Sequence, residues 1–159
     1  MGCRVILDKV RRRGASVVAC MLVTMAVGGC GGGHRPSDQQ LITQALHSYL
    51  RAQASGEGQA ACALLSVGAQ QQLIGLVVKA GKGLITTRPS CQDAVGLVRA
   101  VAGARLLSAL ENARIEQIRV SGAHATAEVL DGTQFQPQQA ILEKAGTTWK
   151  IAGVPGVGG

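Results

Sequence analysis

The sequence predicts an α+β domain in which N-terminal helices pack on a curved antiparallel sheet of about four strands. Three observations carry that prediction. From Leu41 to Leu110, apolar residues recur at spacings of three and four, the period of helices buried along one face. From Ile115 onward the period falls to two, as in strands with one face covered. Gly-containing turns at Ser121-Gly122, Asp131-Gly132 and Ala145-Gly146 then punctuate the second half at hairpin spacing. Helices therefore come first and a meander follows, an order that segregates the helices to one face of the sheet.

In chain order, Leu41, Ile42, Ala45, Leu46, Tyr49 and Leu50 line one side of a first helix that starts at Asp38, with Ser37 or Asp38 as N-cap, and ends near Ser55-Gly56. A second helical stretch begins at about Glu57 and carries Ala60, Ala61, Leu64 and Leu65. A third runs through Gln71, Leu73, Ile74, Val77 and Val78 to Gly81. GKGLITTRPS, residues 81–90, is a loop by its Gly and Pro content. Cys91 opens a further helix through Val95, Val98 and Val101, interrupted or ended near Gly103, and Leu106, Leu107 and Leu110 extend its apolar face. Ile115, Ile118 and Val120, then Ala123, Ala125, Ala127 and Val129, read as two strands of a hairpin. Residues 134–144 form a third strand with Pro137 at an edge or bulge, and residues 147–152 a fourth.

Composition narrows the partners. The formal charge is +7, but five cations against Asp8 place +4 of it within the first 29 residues, leaving +3 for the remainder. The eleven basic residues beyond position 29 form no run of three, and Tyr49, Phe135 and Trp149 are the only aromatics. Base-stacking platforms and a cationic stripe are both missing, which excludes nucleic acid as the expected partner. A core built from this composition is aliphatic.

The N-terminal end reads as an export signal. Arg11-Arg12-Arg13 precede the uncharged, mainly apolar stretch 14–27, the basic-then-apolar order of a secretory leader. Fourteen residues fall short of the roughly 20 that span a bilayer as a helix. Val27-Gly28-Gly29-Cys30 follows directly and resembles the lipobox of bacterial lipoproteins, an aliphatic residue and two small ones before the cysteine that takes the lipid. The resemblance implies cleavage before Cys30, a thioether-linked diacylglycerol on its thiol, and residence on the outer face of the cell membrane. Myristoylation at Gly2 is disfavoured by Ile6, where that motif wants Ser or Thr. Residues 1–29 are thus expected to be the signal, 30–37 the lipidated cysteine and a Gly-rich tether that includes His34, 38–154 a single domain, and 155–159 an unstructured tail.

The cysteines fit that arrangement. Cys3 and Cys20 leave with the leader and Cys30 is consumed by lipid, so Cys62 and Cys91 remain. An even pair in an exported domain favours a disulfide, with two buried free thiols as the alternative. A metal site is disfavoured because neither cysteine has CxxC or HxxxH companions.

The opening helix with Tyr49, the cysteine-bearing helices, the V-SGAHATAEV hairpin and the closing AILEKAGTTWKIAGV hairpin together resemble the nuclear-transport-factor-like superfamily, as found in small exported actinobacterial proteins. The resemblance spans about residues 38–154 and implies a cone-shaped domain whose interior holds a small molecule, with Tyr49 and Trp149 as pocket residues and a homodimer through the sheet as one assembly. In enzymes of that superfamily an Asp or His base works inside the cone, often beside a Tyr or Asp donor. The positions that could do so are His47, Tyr49, Asp93, His124 and Asp131. Each has a plainer explanation. Asp131 suits a Gly turn, Asp93 suits the first turn of a helix, His124 sits at a hairpin end, and His47 is two residues from Tyr49 and so faces elsewhere on the helix. No nucleophile, base and orienting partner assemble, and no cofactor motif occurs, since GEG and GKG lack phosphate-loop spacing. The function expected is a lipid-anchored, exported binding or scaffolding module of the cell envelope, whose aliphatic cone either holds a small apolar ligand or packs shut. The alternative is an isomerase or cyclase of the same fold acting on an apolar ring.

Overall fold

In a computed structural model of the chain, residues 35–130 and 137–153 are described, all within the unit His34–Gly159. The leader, Cys30, His34, the Asp131-Gly132 turn, the start of the expected third strand and the tail lie outside the described residues.

Five helices precede four strands: α1 Asp38–Ser55, α2 Gly58–Leu64, α3 Val67–Ala80, α4 Cys91–Val101, α5 Ala104–Glu111, β1 Arg114–Ser121, β2 His124–Leu130, β3 Gln138–Ala145 and β4 Thr148–Gly153. The strands form one open antiparallel sheet in the order β1-β2-β3-β4. This is the α+β class read from the sequence.

Local chemistry sets the helix starts. Ser37 closes a capping box on α1, its Oγ accepting from the Gln40 backbone N–H at 3.2 Å while the Ser37 N–H donates to Gln40 Oε1 at 2.8 Å. Ser90 does the same on α4 with Asp93, and Ser66 Oγ accepts from the Ala69 N–H at 3.3 Å on α3. Gly56 ends α1 in the left-handed conformation at φ 77°, and a Cβ there would lie 2.4 Å from Arg99 Cδ. Arg99 itself donates from Nε to the Ala54 carbonyl at 3.1 Å, tying α4 to the end of α1.

Several boundaries differ from the sequence reading. The second helix stops at Leu64; Leu65 is extended and pairs in parallel with Ile151, and the Ser66 N–H donates to the Ile151 carbonyl at 2.9 Å. That short pairing covers part of the outer edge of β4. β3 begins only after Pro137, which has no N–H to contribute to a ladder. The interruption expected near Gly103 is present, since α4 ends at Val101 and α5 starts at Ala104, but no residue of α5 is fully buried. Val101, read as part of the apolar face, is the last residue of α4 and is 84% exposed.

The core lies between the helices and one face of the sheet. Alternation places Ala125, Ala127 and Val129 of β2, Ala140 and Leu142 of β3, and Trp149 and Ile151 of β4 inward. Facing them are Ile42, Leu46, Tyr49 and Leu50 of α1, Leu73, Ile74 and Val77 of α3, and Val95 of α4. The principal sheet contacts of α1 are with the outer strands β1 and β4. Cys62 of α2 and Cys91 of α4 form a disulfide, with their Cα atoms 6.1 Å apart. On the free edge, β1 carries Arg114, Glu116 and Arg119 and a bulge between Glu116 and Arg119, where Gln117 has φ 48°. Charge and bulge both discourage further strand addition there.

Candidate functional site

Tyr49 sits in the middle of α1, on the face that the three-and-four spacing turns toward the core. It is 1% exposed. Its hydroxyl, alone among the buried side-chain nitrogens and oxygens of the described residues, has no hydrogen-bond partner. Burial pushes its ionisation well above the usual phenol range, so the group is a neutral O–H donor under all ordinary conditions. The core it belongs to holds no buried charged or polar residue among those described. A hydroxyl placed this way is a donor with no protein acceptor among the described residues.

Trp149, the other expected pocket residue, is 3% exposed and its polar end is already engaged. Its indole Nε1 donates to Asp38 Oδ1 at 3.0 Å. Lys144 Nζ reaches the same carboxylate at 2.8 and 3.0 Å and lies 5.4 Å from the Trp149 ring centroid, over its face. Lys144 and Trp149 face each other across the β3–β4 ladder, and Asp38 is the first residue of α1. The cluster therefore fastens the start of α1 to the closing hairpin. Hydrogen bonds from Lys144 and then Trp149 hold the Asp38 carboxyl below its ordinary 3.8, against a smaller opposing effect of burial. Sequence reading considered Asp38 only as a helix cap and passed over Lys144. Their separation of 106 residues leaves no local signal to find them by.

The remaining candidates do not gather around Tyr49. His47 and His124 are exposed, the first on the outer side of α1 and the second at the start of β2. Asp93 is occupied by the α4 cap: it accepts from Ser90 Oγ at 2.6 Å and from the Ser90 N–H at 3.1 Å, and the side-chain bond followed by the backbone bond lowers its ionisation. Asp131 lies outside the described residues. Among the described residues no three His, Cys, Asp or Glu side chains gather as a metal site, and no helix is long and apolar enough to cross a membrane. No family model, curated protein or solved structure matches the chain.

Proposed function

We propose that the protein is an exported lipoprotein of the bacterial cell envelope, anchored through Cys30, whose domain is a binding module of the nuclear-transport-factor-like kind. The ligand is small and mostly apolar, with one hydrogen-bond acceptor for the Tyr49 hydroxyl. The unpartnered hydroxyl carries this reading, because a buried donor without an acceptor costs about 1–3 kcal/mol and a ligand oxygen removes that cost. Contact of α1 with both outer strands supports the cone, since a helix seated in the hollow of a curved sheet touches the rims. The Cys62–Cys91 bond supports an oxidising compartment. For the anchor, the support is the leader and the VGGC sequence ending at Cys30.

Two measurements test the two halves. Native mass spectrometry of protein extracted in mild detergent is expected to show a bound small molecule on the wild type that is lost or much weakened in Tyr49→Phe. Wild-type protein without any such adduct refutes the ligand. Metabolic labelling with a fatty-acid probe is expected to mark the wild type and not Cys30→Ala, whose precursor also stays uncleaved; label that persists in the variant sinks the anchor.

A further inference from the structure

The loop between α3 and α4 combines features that the core and the proposed ligand site leave unused. Between Glu57 and Asp93 the chain carries Lys79, Lys82 and Arg88 and no acid. All three are exposed, and none is in an ion pair among the described residues. Between them Leu84 is 89% exposed, the most exposed large apolar side chain described. It stands on a tight turn closed by the Leu84 N–H donating to the Gly81 carbonyl at 2.8 Å. The two central residues of that turn, Lys82 at φ 41° and Gly83 at φ 86°, are both left-handed. Gly, Asn or Asp would hold the first of these positions with less strain than lysine does, so a lysine there points to use of its side chain. The helix dipole accounts for Lys79 in the last turn of α3, and Arg88 donates to Gln71 Oε1 of the same helix while its charge stays exposed. Nothing among the described residues accounts for Lys82 or for a leucine held out in water.

We propose that this turn, with Lys79, Lys82 and Arg88 around it, is a contact surface for an anionic bilayer, into whose interface Leu84 inserts. The proposal rests on the exported, anchored reading for why a bilayer is near, while the surface stands on its own charge and exposure. Cations close to an anionic membrane strengthen partitioning by about fivefold each, so three supply on the order of a hundredfold, and an inserted leucine adds to it. For a domain already tethered at the surface, that is enough to fix which side faces the lipid.

The test uses the full chain with Leu84→Trp and vesicles whose acyl chains are brominated, made of phosphatidylcholine with or without phosphatidylglycerol, at saturating lipid. Emission above the background of buried Trp149 is expected to be quenched in the anionic vesicles. Quenching should fall at least about tenfold when Lys79→Glu, Lys82→Glu and Arg88→Glu are added, and should weaken in high salt. Val101→Trp, at a site 84% exposed at the end of α4, is expected to stay unquenched. The proposal is overturned by absent quenching in anionic vesicles, by equal quenching in neutral ones, by quenching that survives the charge reversals, or by equal quenching from Val101→Trp. Retention on heparin without quenching reassigns the cations to a soluble polyanion and overturns it too. Pelleting with neutral vesicles reports separately on the anchor, so the two readings fail by different results.

Discussion

At the scale of single residues, Tyr49 and Trp149 show opposite ways of burying an aromatic with a polar end. Trp149 gives its N–H to Asp38, whereas the Tyr49 hydroxyl is buried with no acceptor. If the protein itself supplies nothing to that hydroxyl, removing it removes a desolvation cost and leaves the ring packing intact. Tyr49→Phe, stripped of ligand, is therefore expected to be about 1 kcal/mol more stable than the wild type, read from the midpoint of urea unfolding. A loss of stability by that amount would show the hydroxyl to be satisfied from within, by ordered water for example, and would remove the physical ground for a ligand acceptor. The apolar spacing placed Tyr49 on the buried face of α1, which the structure bears out. That its hydroxyl ends without a partner depends on every side chain around it, and no spacing encodes that.

At the scale of elements, what joins α1 to the β3–β4 hairpin is the Asp38, Lys144 and Trp149 cluster, and it has a pH signature. The folded-state carboxyl titrates below its ordinary 3.8, so the folded protein takes up this proton less readily than the unfolded chain. Its stabilisation is thus complete above 3.8 and is lost as pH falls through the lowered value. Asp38→Asn keeps an oxygen for Trp149 Nε1 but no charge for Lys144. Unfolding midpoints of wild type and variant should therefore differ most near neutral pH and converge below 3.8, by a small amount because the pair is solvent-accessible. A difference that stays constant through the acid range would show the carboxyl to be unperturbed. Other features of these elements were legible because they are local: Ser37, read as a cap, precedes its capping partner by three residues, and Gly56 follows its helix, while Ser90, which caps α4 in the same way, went unread. Leu65 was misread as helical because its apolar spacing fits α2, while its pairing with Ile151, 86 positions further along, wins in the fold. Pro137, expected at an edge or bulge of the third strand, instead precedes it, since a residue without an N–H contributes no donor to the ladder.

At the scale of the whole molecule, the division into helices and meander followed from the change of period at Ile115, and the pairing of Cys62 with Cys91 from the count of thiols that remain once the expected leader and lipidated cysteine are set aside. Both cysteines are buried, at 7% and 8% exposure, and the bond closes a loop of 29 residues that contains all of α3 and the cationic turn. Crosslinking such a loop removes unfolded-state entropy worth roughly 3 to 4 kcal/mol in the chain-entropy model. A small domain with an aliphatic core and three aromatics in the whole chain has a total stability on the order of 5 to 15 kcal/mol, so the bond is a large fraction of it. Cys62→Ala with Cys91→Ala, which leaves no free thiol behind, is expected to unfold about 2 to 5 kcal/mol more easily than the wild type in urea. Non-reducing peptide mapping of denatured protein checks the premise: the Cys62 and Cys91 peptides should run as one linked species that reduction separates. If both are instead recovered individually alkylated from unreduced material, the two residues are free thiols, and the support they lend to an oxidising compartment goes with the bond.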